Sequence, residues 1–171
     1  MASTDTDPAT DPTLPPLTIA RVAALLDAQG AQYGTDDDGD LFAAWDSHPF
    51  WLMAVGPDKA YFQVRARWAP TAPRSELGAL LIACNEWSQQ MLWPKLYVRA
   101  DAEGAAVYAE HTVTYERGVT DAQLDLHLST SIGSTLGFFR ELATAFPAAV
   151  APAAAPSAPV ALHDPARPTA E

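Results

Sequence analysis

From residue 61 to 68 the chain alternates. Phe62, Val64, Ala66 and Trp68 face one way, and Tyr61, Gln63, Arg65 and Arg67 the other. A period of two marks a strand with one buried face. Residues 95–100 repeat it, with Leu96 and Val98 inward and Lys95, Tyr97 and Arg99 outward. So do residues 105–115, with Val107, Ala109, Val113 and Tyr115 on one side. The turn DAEGA joins these two as an antiparallel hairpin. Further upstream, residues 41–45 read as a strand and residues 31–33 as a short, weak one. Residues 50–55 are apolar on both sides: Phe50, Leu52 and Ala54 against Trp51, Met53 and Val55. Such a strand is covered on both faces, by its own domain or by a partner. The Asp-rich run 36–40, residues 46–49 and GPDKA read as turns.

Three other stretches carry a helical period. Residues 17–29 place Ile19, Val22, Ala23 and Leu26 on one stripe, with Thr18 as N-cap and Gly30 as the stop. In residues 76–94, ELGALLIACNEWSQQMLWP, the stripe is Leu77, Leu80, Leu81, Cys84, Trp87 or Ser88, and Met91. Pro94 ends the run. This segment is predicted to be a central helix laid across the sheet. The last helix opens at GVTDAQL, where Thr120 and Gln123 form a capping-box pair. Leu124, Leu128, Ile132, Leu136, Phe139, Leu142 and Phe146 then share a face, and Pro147 closes it. Gly133 and Gly137 leave a shallow groove, for packing first and a dimer seam second.

The order α-β-β-β-(β)-α-β-β-α predicts a single α+β domain with a twisted antiparallel sheet, not a doubly wound one. The folded part is expected over residues 17–147. Residues 1–16 are rich in Asp, Thr and Pro, and residues 148–171 in Ala and Pro; both read as disordered segments.

Composition narrows the partners. The 171 residues carry 10 Lys and Arg against 21 Asp and Glu, a formal charge of −11 and a pI near 4.5. Nucleic acid and anionic membrane are poor candidate partners for such a chain, and a basic protein segment or a neutral peptide fits better. The start, MASTDTDPATDPTLPP, lacks a signal-peptide pattern, and no run reaches the ~18 apolar residues of a membrane span. The single cysteine, Cys84, forms no intrachain disulfide and lies on an apolar stripe, as a buried inert thiol would. Together these favour the cytoplasm.

The residues that could carry chemistry do not form known motifs. The Asp run around Gly39 lacks the Glu that closes a calcium loop, and it reads as a solvated hairpin tip. His48, His111, His127 and His163 hold no i, i+4 pair for zinc. Ser129, Ser131 and Ser134 lie in no nucleophile elbow, nothing local activates Cys84, and no phosphate loop is present. No catalytic residue, metal or cofactor is expected.

The outward positions are more telling. Arg65, Arg67, Lys95 and Arg99 share a predicted sheet face with Tyr61 and Tyr97, which concentrates four of 10 basic residues on one side. One reading is a solvated face paired with Glu110 and its neighbours. The other is a surface that docks an acidic or extended segment of a partner, or the protein's own acidic tail. Trp51, Met53 and Val55 are a second candidate surface, for a dimer or partner. Asn85, Glu86 and Trp87 read as structural, with Trp87 packing and Asn85 tying the helix to a loop. Trp93 before Pro94 reads as a corner plug. The competing reading is a cleft near Trp87, Trp93 and Glu86 that binds a small ligand or houses an uncharacterised enzyme.

Asn85-Glu86-Trp87, then Trp93-Pro94-Lys95 opening a strand, then Gly118 to Leu124 opening the last helix, occur in a telling order. With Arg67-Trp68 and the Phe-rich end Phe138-Phe139 through Pro147, the chain resembles the YbjN-domain family. That family's fold is similar to class I type III secretion chaperones. The resemblance implies a domain that usually dimerises, has no known catalytic residues, and acts as a regulator or chaperone-like module binding a protein segment. Many members carry Asn where this chain has Ser88.

Overall fold

A computed structural model describes residues 14–150. The sequence ranges 1–13 and 151–171, which hold most of the two expected disordered segments and His163, lie outside the described residues. The elements run α1 (Ile19–Ala28), β1 (Tyr33–Thr35), β2 (Leu41–Trp45), β3 (His48–Val55), β4 (Tyr61–Arg67), α2 (Leu77–Gln90), β5 (Lys95–Ala100), β6 (Ala105–Thr114) and α3 (Asp121–Ala145). The strands form a six-stranded sheet in the order β1-β2-β3-β4-β6-β5, antiparallel at every pairing. The fold is α+β.

The sheet buries one face under the helices. Phe50, Leu52 and Ala54 of β3, Phe62, Val64 and Ala66 of β4, and Val107 and Ala109 of β6 join one core with Val22 and Leu26 of α1 and Leu124, Leu128, Phe138 and Leu142 of α3. The alternation read along β4 and β6 is the alternation observed. The caps are as expected too. Thr18 Oγ1 accepts from Arg21 N at 3.3 Å, and Thr120 and Gln123 form the reciprocal capping box.

Four local expectations are corrected. The first strand is Tyr33–Thr35, two residues later than residues 31–33. Ala31 N is used to bond Leu26 O at 3.0 Å, which closes the C-terminus of α1 in a Schellman-type turn at Gly30. β3 starts at His48, because Asp46 and Ser47 take positive φ and turn the hairpin in two residues. On α2 only Leu80, Cys84 and Trp87 are buried, whereas Leu81, Ser88 and Met91 are exposed. And α2 does not lie across the middle of the sheet. It packs against the edge strand β5, while α3 lies over β4 and β6. The physical reason is apolar area: α3 has six buried apolar residues to place, and α2 has three.

Candidate binding face of the sheet

Pairing across β4, β6 and β5 decides which side chains meet. Arg65 is opposite Glu110, and Glu110 is opposite Lys95. Arg67 is opposite Tyr108, which is opposite Tyr97. Arg99 is opposite Ala106, and Tyr61 is opposite Thr114. Since side chains alternate across a strand, Arg65, Arg67, Lys95, Arg99, Tyr61 and Tyr97 all stand on the face away from the core.

At its centre is Glu110. Its Oε1 accepts from Arg65 Nε at 2.8 Å and from the Tyr97 hydroxyl at 2.7 Å, and its Oε2 accepts from Lys95 Nζ at 2.9 Å. Arg65 also donates to Gln63 Oε1 at 3.1 Å, and Gln63 donates on to Thr112 at 2.9 Å. Tyr97 stacks on Tyr108 with ring centres 5.3 Å apart, and Lys95 Nζ lies 5.3 Å from the Tyr97 ring centre. Burial pushes the Glu110 carboxyl up. The hydrogen bonds from Tyr97 and Lys95 and the charges of Arg65 and Lys95 outweigh it, so the net direction is down.

The pairing with Glu110 exists, but it is not a solvated one. Arg65 is 4% exposed and Glu110 6%. Lys95 keeps 70% of its side chain in solvent, and Arg99 is exposed. Arg67 is half-buried and donates to Ala69 O and Thr71 Oγ1. The face therefore has a buried ionic centre with a more exposed cationic rim. Glu110 is the key residue that the basic pattern on its own did not single out; the signal was one acid on an otherwise cationic outward row. Tyr108 was missed as well.

The second candidate surface differs from expectation. Trp51 and Met53 stand on this same outer face, in register with Arg65 and Gln63. They are already 3% and 1% exposed, so they offer little area for a dimer; Val55 is half-buried. The Trp51 indole Nε1 is buried and donates to no acceptor. Across β2, the Phe42 ring lies where a side chain at Gly34 would stand.

The Asn85-Glu86-Trp87 motif has one structural member. Trp87 packs on Phe138 with ring centres 5.3 Å apart, and the end of its indole sits 3.5 Å from where a Gly137 Cβ would be. Its Nε1 donates to Trp93 O at 2.9 Å. This is the tie between helix and loop that was expected of Asn85; Asn85 itself is exposed. Ser88 Oγ bonds back to Cys84 O at 2.8 Å. The Trp93-Pro94 peptide is cis, and the Trp93 ring covers His111 at 5.0 Å while 43% exposed. Cys84 is 5% exposed, and burial pushes its thiol up to about 11. A groove of about 310 Å³ runs beside Trp87, between Ala83, Glu86 and Gln90 of α2 and Phe138, Glu141 and Ala145 of α3. Both of its carboxylates are exposed, and Trp93 does not line it.

A polar cluster on the core side was not legible in the motifs. Ser131 Oγ donates to His127 O at 2.7 Å and lies 2.8 Å from His111 Nδ1. A hydroxyl has one hydrogen, so His111 must carry its proton on Nδ1 and donate to Ser131. The two imidazoles are 4.5 Å apart, and Tyr115 OH is 3.2 Å from His127 Nδ1. Burial lowers both histidines. His127 falls to about 4, with His111 as the second cause. Ser131 is 0% exposed, so the Ser131–His111 pair braces the core and offers no accessible nucleophile. Among the described residues no three His, Cys, Asp or Glu side chains converge to hold a metal. Nor is any described helix long and apolar enough to cross a membrane.

An α+β domain with this antiparallel six-strand order defines the class of fold. The chain belongs to the YbjN family, described as "Putative bacterial sensory transduction regulator", which it matches over residues 18–144. Its fold is similar to the crystal structure of YbjN, "a putative transcription regulator from E. coli", at 15% identity and TM-score 0.65, covering 77% of this chain and 94% of that one. A weaker likeness, 12% identity and TM-score 0.44 over 73% of this chain and 99% of the other, is to the HopA1–SchA chaperone–effector complex. No curated protein matches significantly.

Proposed function

We propose that this YbjN-family chain is a non-enzymatic regulator or chaperone-like module of the cytoplasm, which acts as a homodimer and holds an acidic, extended segment of a protein partner against the outer face of its sheet. One observation carries the reading. Arg67, Lys95 and Arg99 surround the buried Arg65–Glu110 pair on the face opposite the helices, in a protein of net charge −11. Tyr97, stacked on Tyr108, adds flat aromatic area beside them, and Tyr61 stands at the far end of β4 from Arg67. The dimer draws support from α2 and the loop after it, where Leu81, Ile82 and Leu92 are 50%, 60% and 86% exposed.

Pull-down from lysate compares the native chain with an Arg67→Glu/Lys95→Glu/Arg99→Glu variant. Arg65 is left intact, because its loss would strand Glu110. Equal capture by both would end the proposal for this face. Light scattering after size exclusion tests the dimer, and a strict monomer at micromolar concentration would sink that part. The groove beside Trp87 favours the second reading, a small-ligand site. A Trp87 fluorescence change on adding metabolite fractions, abolished by Ala83→Trp, would support it.

A further inference from the structure

Residues 1–13 contain Asp5, Asp7 and Asp11 and no Lys, Arg or His. We infer that this leader lies along the outer face of its own sheet, with its carboxylates against Lys95, Arg67 and Arg99, and so competes with a partner's acidic segment. The inference rests on the reading of that face given above and names its resident occupant.

The point of departure favours it. Pro15 O accepts from Val119 N at 2.9 Å, and Leu14 O lies where a side chain on Gly118 would stand. Leu14 also shares a pocket with Lys59, Ala60 and Tyr115. Ala60 and Tyr115 flank the paired ends of β4 and β6, where Tyr61 is opposite Thr114. Leu14, to which the leader is joined, thus stands at one end of the two strands that carry the ionic centre.

Reach is sufficient. Seven-residue β4 is about 23 Å long at roughly 3.3 Å per residue. Thirteen extended residues span up to about 43 Å. Pro8 and Pro12 bias the leader toward extended backbone.

Charge is complementary. The outward side chains of β1 to β6 include Arg65, Arg67, Lys95 and Arg99 against Glu110 alone. The leader brings three carboxylates to that excess. The segment 151–171 fits less well: it holds Arg167 and His163 beside Asp164 and Glu171, and it follows the far end of α3.

The test uses the full chain with a benzophenone amino acid in place of Ala9, and a second protein with it in place of Ala158. Crosslinks from position 9 should fall within one chain, on peptides covering residues 61–67 and 95–110. Asp5→Asn/Asp7→Asn/Asp11→Asn or 1 M salt should cut their yield about tenfold. Crosslinks to α2 or α3 that ignore the Asp changes would overturn the inference. So would crosslinks between isotopically distinct chains, or crosslinks to this face from position 158 alone. Failure of the lysate pull-down with intrachain crosslinks intact removes only the partner; the reverse outcome removes only the leader.

Discussion

Glu110 and His111 are neighbours on β6, and they point to opposite faces of the sheet. Both are less than a tenth exposed. Glu110 keeps its charge there and His111 gives it up. Burial disfavours the charged form of each. The difference is made by partners. Three donors, two of them cations, converge on Glu110. His111 has a hydroxyl, a second imidazole and the Trp93 ring. The charge state of a buried group is therefore a property of what the other strands and helices bring to it.

The largest test removes the carboxylate. Glu110→Ala leaves Arg65 buried without its anion, and we expect a loss of about 3–5 kcal/mol in urea unfolding. The pair Arg65→Met/Glu110→Leu should recover most of that loss. A drop of less than about 1 kcal/mol in the single variant would mean the pair holds nothing together.

Acid tests the other face. The folded His127 value of about 4 lies below the unfolded 6.5. The unfolded chain then binds more protons between these limits. Stability is full above about pH 6.5 and falls by about 2–3 kcal/mol as pH drops to 4. His127→Gln should flatten that slope. The Glu110 share behaves differently, because its folded value is lowered: it is fully present above the unfolded value of about 4.5 and is lost as pH falls through the folded value. A slope between pH 4 and 6.5 that vanishes with Glu110 and survives without His127 would reverse the assignment.

Smaller effects separate the members of each cluster. Ser131→Ala strands the His111 N–H and should cost about 1–2 kcal/mol. Lys95→Met should change stability by less than about 1 kcal/mol, since most of its side chain is in solvent. The same change should weaken capture of an acidic segment. Equal stability losses from Ser131→Ala and Lys95→Met would erase the distinction between a sealed cluster and an open rim.

How much of this was legible follows the range of each interaction. Period-two runs located β4, β5 and β6, and Thr120 with Gln123 located the start of α3, because those signals are local. The outward row of Arg65, Arg67, Lys95 and Arg99 followed from alternation and held. The burial of Arg65 within that row did not follow, since Arg65 and Glu110 are 45 residues apart. The His111–His127 pair was invisible to spacing rules, although both residues interrupt apolar stripes. Trp87 was read correctly as packing, but the tie to the Trp93 carbonyl was assigned to Asn85.

By itself, then, the amino-acid order determined most of the elements and their inward and outward sides, which depend on residues a few positions apart, and the family, which rests on the order of short motifs along the chain. Only the tertiary structure decided that β6 lies between β4 and β5, that α3 and not α2 covers the middle of the sheet, and that Glu110 stays ionised beside a neutral histidine. Those outcomes depend on which distant side chains share a volume closed to water, and burial acts on that volume as a whole.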